Sequence, residues 1–173
     1  ELVVTDATRP TTVKTRVMGR AQHRHPHQVL RIDRESRERL CPAIADELIA
    51  ALKASIAPSA KRRVDVVLVS DYAKGVCTPE LLSAVISASR KAGIPVIVDP
   101  ASSRDYRDYR RATAITPNRT ETSRATGRTI ATVEDGLAAA SLLCRDLELD
   151  TAFVTLDSDG IVLADSDETT CHV

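Results

Sequence analysis

Two runs within the first 35 residues alternate between apolar and polar positions, a pattern typical of β-strands with one buried face. One alternating run covers residues 12–20 and a second covers residues 29–33, with polar residues 21–28 between them. In the first run one face carries Val13, Thr15 and Val17, and the other carries Lys14, Arg16 and Met18. We therefore predict a hairpin of two half-buried strands with one face in water, forming a small sheet separate from the rest of the fold.

After residue 41, segments with helical periodicity alternate with short apolar runs along the chain. Apolar residues three or four apart, with helix caps and helix-ending glycine or proline, predict four helices. These run from Pro42 to Pro58, from Thr78 to Gly93, from residue 118 to Gly127, and onward from Thr132. Runs rich in β-branched residues predict buried strands at residues 64–70, 95–99, 112–116 and 151–156, with residues 161–164 pairing back antiparallel. The alternation predicts an α/β fold with a mostly parallel sheet and helices on both faces.

Short polar segments follow four of these strands. They are residues 70–75 (SDYAKG), 99–100 (DP), 116–121 (TPNRTE) and 154–160 (VTLDSDG). In an open α/β sheet, ligands bind in the crevice beyond the carboxyl ends of the strands. We therefore expect the four segments to converge on one site.

Composition argues against several classes of partner. The formal net charge is zero, so no global field favours nucleic acid or an anionic membrane. Aromatic residues are only 2% of the chain, which leaves few platforms for stacking bases. No apolar run reaches the ~18 residues that a membrane-spanning helix needs. Four scattered cysteines favour reduced thiols, so we expect a cytoplasmic protein that binds neither nucleic acid nor membrane.

The sharpest candidate site is the segment 116–121, although neither phosphate-binding glycine motif is present. Asn118 begins a helix, where free N–H groups favour a phosphate, and Glu121 is placed to reach Mg²⁺ directly or through water. A plain capping arrangement is the alternative, in which Asn118 caps the helix and Glu121 bonds back to its N–H. The residues alone leave both interpretations open.

The other polar segments carry weaker signals. Asp71 is suited to bind a sugar hydroxyl and Lys74 a substrate phosphate, but a solvated loop fits the same residues. Thr155 is suited to contact a nucleotide, but an ordinary β-turn is equally consistent with the spacing. We interpret the alternating histidines of residues 23–27 as a solvated hairpin tip, and the Arg/Tyr-rich connector at residues 102–111 as a surface loop rather than a phosphate clamp.

In this order, the segments resemble the ribokinase-like (PfkB-type) sugar kinases. Within that family they are most similar to the heptose 7-phosphate kinases that are joined to an ADP-heptose synthase. The resemblance extends over nearly the whole chain and rests on residues 9–17, 28–35, 70–76, 91–100, 116–121 and 154–160. The pairing of RPTTVKTRV with SDYAKGV is more specific than the N-x-x-E motif, which the wider superfamily shares.

The resemblance implies an ATP- and Mg²⁺-dependent kinase. Its substrate would be the anomeric hydroxyl of D-glycero-β-D-manno-heptose 7-phosphate, and its product would feed ADP-heptose synthesis for lipopolysaccharide. The residues that the resemblance assigns to ATP are Asn118, Arg119, Thr120, Glu121, Thr155 and Gly160, with Glu121 also at the metal. Those assigned to the sugar phosphate are Lys14, Arg16, Asp71 and Lys74. The hairpin would be a lid that closes over the sugar and forms a homodimer contact.

Two departures from the family pattern qualify these expectations. Ala101 and Ser102 follow Asp99 and Pro100, where relatives often carry a lysine. The family's G-A-G-D motif, with its anion hole and catalytic base, does not occur in these 173 residues. We therefore expect a lid segment at 1–35 and a partial kinase core at 36–173, incomplete at both ends and inactive alone. The alternatives are a PfkB-type kinase for another sugar such as ribose or fructose, and a non-catalytic protein that binds nucleotide or sugar phosphate.

Overall fold

The structure is a computed structural model that describes residues 3–20, 25–60 and 64–173. Its strands are β1 (Val13–Gly19), β2 (His27–Arg34), β3 (Val67–Ser70), β4 (Val96–Asp99), β5 (Ala114–Ile115), β6 (Thr151–Thr155), β7 (Ile161–Asp165) and β8 (Thr170–His172). Its helices are α1 (Pro42–Ile56), α2 (Pro79–Lys91), α3 (Arg119–Thr126) and α4 (Val133–Leu147).

The main sheet has six strands in the order β3-β4-β5-β6-β7-β8. The first four are parallel, and β7 and β8 are antiparallel to their neighbours. The predicted mostly parallel α/β sheet with a separate small hairpin is confirmed. Strand β8 was not predicted, because its three residues are exposed and carry no apolar alternation.

The hydrophobic core lies on one face of the main sheet. Alternate strand residues point to this face and are almost fully buried, namely Val96, Val98, Ile115, Ala152, Val154, Val162 and Ala164. They pack against α2 and α4, whose buried residues include Leu82, Ile86, Ala139, Ala140 and Leu143. The period-two strands and the amphipathic helices therefore build one continuous core.

The opposite face of the sheet is open, so the prediction of helices on both faces is wrong for the described residues. The side chains that alternate with the core residues point to this face, and Leu68 is 68% exposed and Phe153 is 36% exposed. Helix α1 packs beside α2, which lies on the core face. Strand β3 accordingly alternates in burial, instead of being covered on both faces as predicted.

Helices α2 and α4 begin at the caps that the sequence predicts. The Thr78 hydroxyl accepts a hydrogen bond from the N–H of Leu81 at 3.2 Å, with Pro79 in the first turn of α2. Thr132 and Asp135 form a reciprocal capping box at the start of α4. Each cap satisfies backbone N–H groups that have no partner within the helix.

The hairpin of β1 and β2 is exposed on both faces, so the prediction of two half-buried strands is wrong. One face presents Val13, Val17, Leu30 and Ile32, which are between 43% and 56% exposed. The other face carries cross-strand charge pairs such as Lys14 and Asp33, 3.5 Å apart. The predicted histidine tip lies partly outside the described residues, which resume at His25.

Candidate functional site

The polar segments after β3, β4, β5 and β6 lie along one edge of the sheet, because these strands are parallel. Direct contacts join them. The Ser70 hydroxyl donates to Asp99 Oδ2 at 3.2 Å, and the N–H of Thr155 donates to the carbonyl oxygen of Pro117 at 3.1 Å. The predicted placement of the four segments along one edge of the sheet is therefore confirmed, and their convergence on one ligand site stays a prediction.

At the start of α3, Asn118 and Glu121 form a capping box. The Glu121 N–H donates to Asn118 Oδ1 and the Asn118 N–H donates to Glu121 Oε2, both at 2.9 Å. The Ser102 hydroxyl donates to the other carboxylate oxygen, Oε1, at 2.8 Å. The capping arrangement that the sequence offered as an alternative is therefore present. It holds the Glu121 carboxylate at this edge of the sheet. Each carboxylate oxygen has two lone pairs, so capping and contact with a metal or its water are compatible.

A buried tyrosine hydroxyl lies near this carboxylate. Tyr106 is 6% exposed, and its hydroxyl has no hydrogen-bond partner among the described residues. Burial raises its pKa, and the charges of Glu121 and Asp99 raise it further, so the hydroxyl stays protonated. The strand ends therefore place two carboxylates within electrostatic range of one buried phenol.

These oxygen donors fit Mg²⁺. Glu121 and Asp99 come from neighbouring strand ends, and Mg²⁺ is usually bound by one or two carboxylates together with waters and substrate phosphates. Across residues 3–20, 25–60 and 64–173, no group of three or more His, Cys, Asp or Glu could hold a metal alone. A magnesium ion here would need nucleotide phosphates and water to complete its shell.

Arg119 binds protein acceptors on the side of α3 that faces the β6–β7 turn. Its guanidinium donates to the carbonyl oxygens of Ile130 and Leu156 at 3.0 and 2.8 Å. It also lies 3.2 Å from the Asp157 carboxylate and 2.5 Å from that of Asp159. Its predicted ATP contact stays a prediction. Thr120 is exposed on the first turn of α3.

The turn between β6 and β7 lies beside the start of α3. Thr155 forms a parallel bridge with Asn118, so the two predicted nucleotide segments are in contact. Gly160 has a φ of +89°, and a β-carbon there would lie 2.1 Å from the carbonyl oxygen of Val173. Its backbone conformation and this close approach both require glycine.

Asp71 is buried, and its oxygens are bonded within the protein. Oδ1 accepts from the Ala73 N–H at 2.7 Å, and Oδ2 accepts from the Tyr109 hydroxyl at 2.9 Å. Arg104 Nε lies 2.5 Å from the same Oδ2, with the Asp71 side chain only 2% exposed. Its predicted contact with a sugar hydroxyl stays a prediction. Sequence reasoning missed Arg104 and Tyr109 as its partners.

The Arg/Tyr-rich connector is therefore not simply a surface loop. It forms a 3₁₀ turn over Tyr106–Tyr109, which places both tyrosine rings inward with centroids 5.5 Å apart. Tyr109 is fully buried, while Arg107 and Arg110 remain exposed. The three-residue spacing of the tyrosines, which puts them on one side of a 3₁₀ turn, was the available signal.

Lys74 joins the loop after β3 to the hairpin. Its ammonium group pairs with Glu35 at the base of the hairpin, and this pairing lowers the pKa of Glu35. Arg9 donates to the carbonyl oxygen of Lys74 and, at 3.3 Å, to that of Ser36. The two segments on which the resemblance mainly rests are therefore in contact. Lys14 and Arg16 lie on the hairpin itself.

Residues 4–173 match the pfkB family carbohydrate kinases. The chain belongs to this family. It is 42% identical over 171 residues to the bifunctional protein HldE of Geotalea uraniireducens, covering 99% of this chain and 33% of that protein. It is 44% identical over 172 residues to the bifunctional protein HldE of Caulobacter sp. K31, covering 99% of this chain and 32% of the relative. The chain thus spans about a third of these relatives.

Solved structures show the same fold. The ribokinase of Arabidopsis thaliana complexed with ribose and ATP superposes with a TM-score of 0.63 at 20% identity, over 96% of this chain and 49% of that one. The ribokinase of Giardia lamblia superposes with a TM-score of 0.65 at 16% identity, over 97% of this chain and 49% of that one. The predicted ribokinase-like fold is confirmed. Within the described ranges, no helix is both long and apolar enough to cross a bilayer.

Proposed function

We propose that this chain is part of a kinase that uses ATP and Mg²⁺ to phosphorylate the anomeric hydroxyl of D-glycero-β-D-manno-heptose 7-phosphate. One observation carries the proposal. The loop with Asn118 and Glu121 and the loop with Asp71 and Lys74 lie on the same edge of one parallel sheet, in a pfkB family chain. Such an edge can hold two ligands end to end, as phosphoryl transfer requires.

The nucleotide half of the proposed site is the region around α3. The first turn of α3 presents backbone N–H groups and the positive end of its dipole to a phosphate. Glu121 is fixed by Asn118 and Ser102, so its carboxylate is held ready for a metal or its water. Bound Mg²⁺ would offset the negative charge on the phosphates during transfer. Thr155 and Gly160 border the same half on the β6–β7 side.

The sugar half of the proposed site favours a phosphorylated substrate. A cavity of about 330 Å³ adjoins the loop after β3, and its lining includes Arg37, Arg39 and Arg104 together with Asp105 and Asp108. Arg104 is paired with Asp71 and Asp108, which leaves Arg37 and Arg39 as the cations of this lining that are available to a ligand. Lys74 lies on the same loop, where its ion pair with Glu35 can be exchanged for a substrate phosphate. Arg37, Arg39 and Lys74 support a sugar phosphate over a free sugar, because guanidinium groups bind phosphate in two-point contacts and an ammonium group adds positive charge.

The hairpin is proposed as a lid and as a homodimer contact. Its exposed apolar face of Val13, Val17, Leu30 and Ile32 is the kind of surface that association buries. Function in the cytoplasm is part of the same proposal.

Kinase assays on the complete protein that contains this chain test the substrate. We expect turnover with heptose 7-phosphate that greatly exceeds turnover with ribose or fructose 6-phosphate. Preference for either of the latter would assign a different sugar. Tight ATP binding without turnover of any sugar would make the protein a non-catalytic binder. Residues 1–173 alone should not turn over, since they contain no G-A-G-D motif.

A further inference from the structure

Arg119 connects the start of α3 to the turn between β6 and β7. Its side chain is 21% exposed and reaches both acidic residues of that turn, Asp157 and Asp159. It also donates to the carbonyl oxygen of Leu156, the residue that begins the turn. One side chain therefore holds the whole turn against the helix that carries Glu121.

The two carboxylates of the turn need a positive partner. Asp157 and Asp159 are 76% and 49% exposed and belong to the segment that borders the proposed nucleotide half. Like charges repel, so two unpaired carboxylates beside a polyphosphate would weaken its binding. Arg119 supplies a guanidinium to both of them.

Most of the donors of Arg119 are already used. A guanidinium has five N–H groups, and four hydrogen bonds run to Ile130, Leu156, Asp157 and Asp159. Too few remain for a two-point contact with a phosphate.

We infer that Arg119 is a positioning residue that pins the β6–β7 turn and neutralises Asp157 and Asp159, so that the turn accepts a nucleotide polyphosphate without contacting it through Arg119. This inference rests on the proposed function and replaces a direct ATP contact with an indirect role.

Calorimetry on the complete protein tests it with ATP, ADP and adenosine. In Arg119→Met, we expect ATP affinity to fall by roughly tenfold, ADP affinity by less, and adenosine affinity to stay nearly unchanged, because the repulsion scales with phosphate charge. Adding Asp157→Asn and Asp159→Asn to that variant should restore most of the ATP affinity. Arg124→Met, an exposed arginine on the same helix, is the matched control and should bind ATP normally.

Each result has one meaning. Equal losses of affinity for ATP and adenosine would overturn the inference and indicate a collapsed turn. No recovery of ATP affinity in the triple variant would also overturn it and indicate a direct contact between Arg119 and ATP. If Arg119→Met does not fold, the double variant Asp157→Asn with Asp159→Asn, with Arg119 kept, is measured instead. The inference expects its ATP affinity to equal or exceed that of the wild type. A lower ATP affinity would overturn the inference. A wild-type protein that binds no ATP would instead overturn the proposed function.

Discussion

Two helices in this chain begin with the same capping box, but only one of them borders the crevice. At α3, Asn118 and Glu121 exchange hydrogen bonds of 2.9 Å. At α4, Thr132 and Asp135 exchange hydrogen bonds of 3.0 and 3.2 Å. The local sequence signal is nearly identical, so it does not distinguish a site from a structural cap.

The neighbours of each acidic residue make the difference. Glu121 gains a side-chain donor, Ser102, and lies near the buried hydroxyl of Tyr106. Asp135 gains a second backbone donor, the N–H of Ala131, at 3.0 Å. One carboxylate is surrounded by strand-end side chains, and the other closes a helix end. Position relative to the sheet therefore decides which acid lies among the strand ends, where a ligand is proposed to bind.

Replacing Glu121 and Asp135 by their amides should reveal the largest functional difference between the two capping boxes. Glu121→Gln and Asp135→Asn each keep an oxygen that can accept the capping hydrogen bond. In the complete protein, we expect Glu121→Gln to lower Mg²⁺-dependent activity by roughly 10- to 100-fold, the usual effect of removing a group that orients a metal shell. Asp135→Asn should leave activity within about twofold, because its carboxylate bonds to backbone N–H groups at the start of α4. Steady-state kinetics over a Mg²⁺ series measures both, and equal losses would show that the two boxes do not differ in function.

Removing the capping side chain should lower the stability of the protein by a similar amount at both helices. Asn118→Ala and Thr132→Ala each leave a helix N–H without its partner, so we expect the free energy of unfolding to fall by about 1 kcal/mol in each case. Urea unfolding measures the change, and Ser123→Ala, a position within α3, serves as a control. A much larger loss at Asn118 would mean that the crevice contributes to stability as well as to the site.

Acid should weaken the α4 box in a predictable direction. The N–H groups of Thr132 and Ala131 hold the pKa of Asp135 below its ordinary value of 3.8. A carboxylate with a lowered folded-state pKa stabilises the protein above its unfolded pKa, and this stabilisation is lost as pH falls through the folded value. The stability difference between the wild type and Asp135→Asn should therefore be fully present above its ordinary pKa and shrink below pH 3.8. Unfolding measured across this pH range checks it, and a difference that grows on acidification would contradict the assignment.

Local signals predicted the secondary structure well. Thr78 with Pro79, and Thr132 with Asp135, specify helix starts within a few adjacent residues, so their caps formed as expected. Apolar runs rich in β-branched residues predicted β4 and β6, because this signal is also contained in a few adjacent residues. Strand β8 escaped prediction because it exists only through pairing with β7.

Features that depend on distant residues were less predictable. The segment order indicated that Asn118, Glu121 and Thr155 would share an edge. It did not indicate that Arg104 and Tyr109 would bind Asp71, because these contacts join residues more than about 30 positions apart, beyond the reach of any local pattern. The open face of the sheet was missed for a similar reason, since a strand's pattern shows that a face is apolar but not which helix covers it.

Gly160 constrains how this part of the chain can evolve. Any amino-acid replacement of glycine introduces a β-carbon, which at this position would collide with the backbone of Val173. At Gly93 a β-carbon would meet nothing within 4 Å. The obstacle is a backbone carbonyl, so no side-chain substitution at Val173 would remove it, and the positive φ of Gly160 would still strain any other residue. Position 160 is therefore restricted to glycine for as long as Ile161 and Val173 stay paired through their backbone hydrogen bonds.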